Sequence, residues 1–458
     1  MRTRFRRLAL QAVFAFLVLG FLGAQNRAEI SAGTWTGTMI LKAKDGTSLS
    51  GAIALRLLKP GMGALLDIPE QSMFGYPLDE VSYSKSRISF LFGALGEGEV
   101  LKFDGFYLAN LGIARSSEHL GDGGIVGTVS SASWKGSFTL REAALRAEAG
   151  ESPLALRGAK DEDGDNPPPV LPGTLRLPRR AGPSTPIAVL VAGAGPSDRN
   201  GNNFNVPGKT DSLKLLSEAL ALRGVATFRY DKRGSGEAYT LERSSSSLGY
   251  ARQARDLAAV FGYFIDRREY GRILVMSMNE GSWIAAQALE ILAREGRAID
   301  GFAVLGTSGE APRATLLKSL EGLDPQTRKE AMAILEAIEA GRTYPEPSPI
   351  LADFFSRDRE DWIREWVSLK PDVDIGAADT PVLLVRGEAD LQVGNEAFDL
   401  LAAARPGAAM RSIPSMNYLL KRVNSEEENY ASFSDPRFPI PEALADLLAA
   451  FAKAQPAP

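Results

Sequence analysis

Two hydrophobic periodicities divide the chain. Between Gly33 and about Leu140, apolar and polar residues alternate in short runs, among them Thr34-Trp-Thr-Gly-Thr-Met-Ile-Leu41, Ala52-Ile-Ala-Leu-Arg-Leu57, Arg87-Ile-Ser-Phe-Leu-Phe92 and Trp134-Lys-Gly-Ser-Phe-Thr-Leu140. Successive strand side chains point to opposite faces, so a period of two marks strands with one buried face. Turn sequences such as Lys44-Asp-Gly46 between the runs predict antiparallel pairing. An antiparallel sheet or barrel of roughly 100 residues is expected here.

Beyond Val170 the pattern changes to continuous apolar runs: Ile187-Ala-Val-Leu-Val191, Val225-Ala-Thr-Phe-Arg-Tyr230, Ile273-Leu-Val-Met276, Phe302-Ala-Val-Leu305 and Val382-Leu-Leu-Val385. Such runs are too short for helices and read as strands buried on both faces. Leu213–Leu222 and Ala251–Ile265, lying between them, repeat at helical spacing. The alternation predicts a mostly parallel sheet with helices on both faces. The stretch from about 311 to 375, rich in Leu, Ala and Glu and carrying Trp362 and Trp366, predicts a helical cap.

Between the two patterns, Lys160-Asp-Glu-Asp-Gly-Asp-Asn166 runs into Pro167-Pro-Pro169, a composition that cannot bury a core. The expected organisation is a β-rich domain over 25–145, a linker over 146–169, and an α/β domain over 170–458. The segment 1–24 has basic residues to Arg7, an apolar run from Leu8 to Gly23, and Ala24 at its exit. It reads as a secretory signal peptide, or alternatively as an uncleaved anchor, which places the protein in the periplasm or outside the cell.

Composition narrows the chemistry. Among 458 residues there are no cysteines and one histidine, with a formal net charge of -4. Disulfides, thiolate chemistry and multi-histidine metal sites are excluded, and no cofactor or metal is expected. No basic run follows Arg7, which argues against a nucleic-acid surface. His119 sits in a polar Ser-Ser-Glu-His loop of the first domain and reads as an exposed structural residue.

The stretch Arg272 to Ala285 reads as a short buried strand, a tight turn and the opening of a helix with Ile284, Ala285 and Leu289 on one side. That is the context in which a Gly-x-Ser-x-Gly elbow presents its nucleophile. The five positions here are Ser277-Met278-Asn279-Glu280-Gly281.

From about 168 to 455 the chain resembles the secreted bacterial α/β-hydrolases described as serine-aminopeptidase-like or acyl-esterase-like. The resemblance is carried by Gly173-Thr-Leu-Arg-Leu-Pro178, Ala194-Gly-Pro-Ser-Asp-Arg-Asn-Gly-Asn202, Arg229-Tyr-Asp-Lys-Arg-Gly-Ser-Gly236, the elbow, Gly387-Glu-Ala-Asp-Leu-Gln-Val393 and Pro414-Ser-Met-Asn-Tyr-Leu419. Gly33-Thr-Trp-Thr-Gly37 and Leu66-Asp-Ile-Pro-Glu-Gln71 are similar to the β-rich N-terminal domain of that family. The resemblance implies a nucleophile, an acid and a histidine in that order. Asn279 occupies the nucleophile position, Asp390 the acid position and Tyr418 the histidine position. It also implies an oxyanion hole from the backbone N–H groups of Ala194 and Glu280. A small acyl, ester or peptide ligand in the capped pocket follows from the same resemblance.

Ser277 and Ser282 flank the turn and read as packing and helix-start residues. Lys232 and Lys421, the partners a Ser-Lys pair would need, lie in polar runs and read as solvated. Asp231 and Arg233 read as structural turn or ion-pair residues, and Asp198 and Arg199 as parts of the same loop scaffold. Glu280 could meet a ligand amine or serve as an acid at a helix N-terminus. Asn279 and Tyr418, each larger than the residue it replaces, are expected within hydrogen-bond reach of each other or of one shared water. The leading reading is an exported, catalytically inactive protein acting in binding or regulation. The alternatives are an esterase or peptidase using a non-standard residue set, and an envelope protein in which the β-rich domain does the work.

Overall fold

The computed structural model describes residues 29–59, 61–93, 99–109, 111, 123–143, 150–160, 168–193, 195–241 and 249–454. The expected signal peptide, His119 and Ala194 lie outside the described residues. The chain divides into two compact units: Met1–Leu66 with Leu78–Leu145, and Asp67–Pro77 with Arg146–Pro458.

The strands of the first part of the chain are β1 (Gly33–Ala43), β2 (Ser48–Leu57), β3 (Ala64–Ile68), β4 (Met73–Pro77), β5 (Asp79–Tyr83), β6 (Arg87–Phe92), β7 (Leu101–Leu108), β8 (Gly124–Ser130) and β9 (Trp134–Glu142). In the first unit they run antiparallel in the order β3-β2-β1-β9-β8-β7-β6-β5. The alternation seen in the sequence becomes a face holding Trp35, Phe90, Phe103, Phe138 and Leu140, all buried. Phe90 and Phe103 stack with ring centroids 4.4 Å apart. The segment Asp67–Pro77, with β4, belongs to the second unit.

The second unit holds β10 (Glu151–Pro153), β11 (Leu156–Arg157), β12 (Val170–Leu171), β13 (Gly173–Arg176), β14 (Pro186–Val191), β15 (Ala226–Tyr230), β16 (Arg272–Met278), β17 (Gly301–Leu305), β18 (Val382–Gly387) and β19 (Ala409–Ile413). Its main sheet has the order β10-β13-β15-β14-β16-β17-β18-β19. β10 and β13 are antiparallel additions, and every pair from β15 to β19 is parallel. β14 explains the continuous apolar runs, since each of its residues is buried. Ile187, Val189 and Val191 join one core with the helices Tyr250–Arg267 and Gly281–Arg294. Ala188, Leu190 and Ala192 join the other with the helices Ser212–Leu222 and Glu442–Lys453. Each fully buried Leu, Ile or Phe in these layers contributes about 1.5–3 kcal/mol of transfer free energy. A mostly parallel sheet covered on both faces, with a strand-turn-helix elbow after β16, is the α/β-hydrolase architecture.

The cap lies between β17 and β18 as the helices Pro312–Leu320, Pro325–Glu339, Pro349–Ala352 and Glu360–Ser368. It has a core of its own, including Leu316, Ile334, Leu335, Phe355 and Ile363. Trp362 and Trp366, stacked 5.5 Å apart, pack against this core and against that of the sheet.

The linker needs a correction. Residues 161–167 lie outside the described residues, but 150–160 belong to the second unit's structure. β10 is an edge strand of the main sheet, β11 pairs with β12, and Leu156 and Leu171 are buried in the core. The charged and proline-rich composition that follows conceals two short pairing segments, which are anchored by ion pairs rather than by long apolar runs. Glu151 binds Arg176 and Arg229. The Ala159 N–H donates to Asp256 Oδ1 at 2.8 Å, and Arg233 Nε donates to Asp256 Oδ2 at 2.5 Å.

Arg233 and Asp256 are 0% and 2% exposed, so removing one partner strands a buried charge. Asp256→Ala should lower the unfolding free energy by about 3–5 kcal/mol in urea titrations. An unchanged midpoint would show that the pair anchors nothing.

Candidate functional site

The elbow is built by main-chain geometry. At the end of β16 Asn279 adopts φ +50°, in the left-handed region. Among residues with a side chain, Asn enters that region most readily, because its short amide bonds locally. The turn is pinned by Asn279 N–H donating to Leu305 O at 3.0 Å and Ser282 N–H donating to Asn279 O at 2.9 Å. Gly281 is obligatory in this geometry, since a Cβ there would lie 2.6 Å from Ala192 O.

Ser277 and Ser282 face inward and are fully buried. Their hydroxyls lie 2.9 Å apart, Ser282 Oγ lies 2.8 Å from Thr307 Oγ1, and Thr307 Oγ1 donates to Asn279 O at 3.1 Å. This hydroxyl chain buttresses the turn from behind.

The three residues singled out from the sequence come together around Gly306, just beyond β17. A Cβ at Gly306 would lie 3.4 Å from Asn279 Oδ1, 3.6 Å from Asp390 Oδ2 and 3.9 Å from the Tyr418 carbonyl oxygen. Asp390 Oδ1 accepts from the backbone N–H groups of Gln392 at 2.8 Å and Val393 at 3.0 Å. Burial raises its pKa, and those two bonds oppose the rise. Tyr418 sits in a turn held by Asn417, whose Oδ1 accepts from Leu419 N–H at 3.1 Å and Lys421 N–H at 3.0 Å. Burial, with the negative charges of Glu280 and Asp390, raises the Tyr418 pKa, so its hydroxyl keeps its proton and remains a donor.

No direct hydrogen bond joins Asn279 and Tyr418, the first of the two expected arrangements. They line a cavity of about 160 Å³ together with Gly193, Met278 and Phe433. Asn279 Oδ1 is buried and has no hydrogen-bond partner among the described residues. The larger side chains narrow the space without closing it. Of the expected oxyanion donors, the Glu280 N–H has no protein acceptor among the described residues.

Lys232 and Lys421 correct the sequence reading, because both are buried, at 4% and 0% exposure. Lys232 Nζ donates to Gly193 O at 2.5 Å and more weakly to Gly195 O at 3.5 Å. Burial pulls its pKa down to about 8 against the opposing charge of Glu280. Lys421 Nζ donates to Phe438 O at 2.9 Å, and burial lowers its pKa to about 8 as well. The available signal was position: Lys232 follows the C-terminal end of β15, the edge at which parallel sheets present residues to ligands. Glu280 accepts from Tyr250 Oη at 2.8 Å. Burial raises its pKa, partly offset by that bond and by Lys232. Tyr250 was not singled out from the sequence.

The loop after β14 rests on charge. Asp231 accepts from Arg199 N–H at 2.7 Å, Arg199 Nη2 at 2.5 Å and Glu237 N–H at 2.8 Å. Asp198 Oδ1 accepts from the N–H groups of Asn200 at 2.8 Å and Asn202 at 2.9 Å. Burial and the nearby Asp231 push the Asp198 carboxyl up to about 6.

No protein-family model matches the chain, and no curated protein matches it. Solved structures do resemble it. Est1E from Butyrivibrio proteoclasticus is 16% identical, with 65% of this chain and 98% of that one covered and a TM-score of 0.41. The esterase domain of a Rhodothermus marinus protein is 15% identical, with 66% and 99% covered and a TM-score of 0.37. The α/β hydrolase GrgF from Penicillium sp. sh18 is 14% identical, with 66% and 98% covered and a TM-score of 0.42. The architecture of this chain is identified by its own strand order and elbow.

Two stability measurements follow. Asn279→Ala and Asn279→Gly both remove the buried, unpartnered Oδ1, and the Gly variant should be the more stable of the two by about 1–2 kcal/mol, the penalty of a Cβ in the left-handed region. Equal urea midpoints for the Ala and Gly variants would show that the turn carries no such strain.

The folded-state pKa of Asp198 lies above its unfolded value of 3.8. Its contribution is therefore fully present below about pH 4 and is lost as pH rises through about 6. Asp198→Asn keeps the acceptor for Asn200 and Asn202. It should be more stable than wild type by up to about 2 kcal/mol at pH 7.5 and equal to it at pH 4, in melts across that range. A constant difference at all pH values would refute the assignment.

Proposed function

We propose that this chain is an exported, non-catalytic α/β-hydrolase-fold protein that binds a small acyl, ester or peptide ligand and acts in binding or regulation. One observation carries the reading: an asparagine with a buried, unpartnered Oδ1 stands where the fold presents a nucleophile. An amide is neither a nucleophile at neutral pH nor a base. Tyr418, whose pKa is raised, cannot take a proton in the way an imidazole does. Residues 146–458 contain no histidine, and the two serines beside the elbow are turned into the protein. Ligand binding is supported by what remains at the turn. The Glu280 N–H and Asn279 Oδ1 are a donor and an acceptor without partners among the described residues, and a buried orphan of this kind costs about 1–3 kcal/mol until something satisfies it. Export rests on the basic and apolar pattern of residues 1–24.

The test is reconstruction. The parent should neither hydrolyse short-chain nitrophenyl esters nor react with a fluorophosphonate. Asn279→Ser combined with Tyr418→His should gain measurable hydrolysis and labelling at position 279. Either change alone should do almost nothing, because nucleophile and base act as a unit. A parent already labelled at Ser277 or Ser282 would overturn the non-catalytic reading.

A further inference from the structure

Adjoining the elbow is a second, larger cavity of about 500 Å³, within the range of roughly 300–1,000 Å³ that holds small ligands. Lys232 and Glu280 both line it. Each biases the other's pKa, yet no ion pair joins them. Lys232 directs two donors at the carbonyl oxygens of Gly193 and Gly195, and its third N–H has no acceptor among the described residues. Glu280 accepts a hydroxyl from Tyr250, and no ion pair to it forms among the described residues.

The remaining walls include four aromatic residues among the amides of Asn203, Asn205 and Gln253, and two further cations, Arg233, which is paired with Asp256, and the exposed Arg359. Tyr250 and Trp362 stack at 6.5 Å, and Phe204 and Tyr239 meet edge to face at 5.4 Å, all four lining the same space. An isolated buried charge is expensive unless paired, and two opposite charges held apart in one cavity are both left short of a partner. A simple amine would answer Glu280 and be repelled by Lys232. A simple carboxylate would have the opposite difficulty. A molecule carrying both groups on an apolar body completes each pair at once, with its ammonium also meeting aromatic faces.

We propose that this cavity binds a small zwitterion of the amino-acid and dipeptide class, its ammonium at Glu280, its carboxylate at Lys232 and its apolar side chain against Tyr250, Trp362, Phe204 and Tyr239. The proposal rests on the binding reading above and names the ligand chemistry of the space beside the elbow.

Calorimetric titration of the full chain with L-leucine, leucyl-leucine, N-acetyl-leucyl-leucine and leucyl-leucine amide tests it, with hexanoate as an acyl probe lacking the ammonium. At least one zwitterion should bind, and both blocked dipeptides should bind at least tenfold more weakly than leucyl-leucine. Glu280→Gln should abolish discrimination against the N-acetyl form alone, and Lys232→Met discrimination against the amide alone. Lys232→Arg should restore the latter. Because Lys232 also holds two loop carbonyls, melts of each variant accompany the titrations, and the ligand series on wild type decides the matter even if Lys232→Met does not fold. Equal binding of free and blocked forms overturns the proposal. Hexanoate binding with no zwitterion binding also overturns it while leaving the binding reading intact, whereas ester turnover by the parent would overturn that reading itself.

Discussion

The whole site hangs on one backbone torsion. Asn279 turns into the left-handed region between a strand whose residues are buried and a helix that must start at once, at Gly281. The torsion is affordable only because Gly281 lets the chain pass against the carbonyl of Ala192 and because Leu305 and Thr307 take the polar groups of the turn. Asparagine tolerates that conformation better than most residues with a side chain, so position 279 carries less strain than a serine or alanine would bring to it.

Around the elbow, loops are positioned by buried charge rather than by hydrophobic packing. Asp231 organises Arg199 and Glu237, Asp256 joins Arg233 to Ala159, and Glu151 lies between Arg176 and Arg229. Such groups add little net stability relative to apolar replacements, but they penalise every arrangement in which a partner is missing. They fix where the loops lie more than how strongly the protein folds. Asp198, on the same loop, is costlier, since it is buried and its neighbours Asp231 and, more weakly, Asp211 carry the same sign.

Much of this was legible in the sequence, and the failures share a cause. Period-two alternation gave β1, β2, β6 and β9, and continuous apolar runs gave β14 to β18, because burial on one or two faces writes itself directly into side-chain polarity. The convergence of Asn279 and Asp390 could be anticipated because each follows the end of a parallel strand. The burial of Lys232 and Lys421 and the strand pairing of residues 150–157 were misread because they depend on hydrogen bonds to distant carbonyls and on ion pairs, which leave no periodic trace. Polarity along a run shows what a residue prefers. It does not show what the fold can supply to it.

Gly281 and Gly306 set the outline of the site. Gly281 excludes a side chain and Gly306 sits beside Asn279 and Asp390 with positive φ, so the hollow is shaped largely by the main chain. Its outline follows from the turn itself and would be much the same with another residue at position 279. The charge on Glu280 is different in kind, since the outline would survive a neutral residue there. Use is best read from the polar groups on the walls, and the outline of the cavity is the part least informative about it.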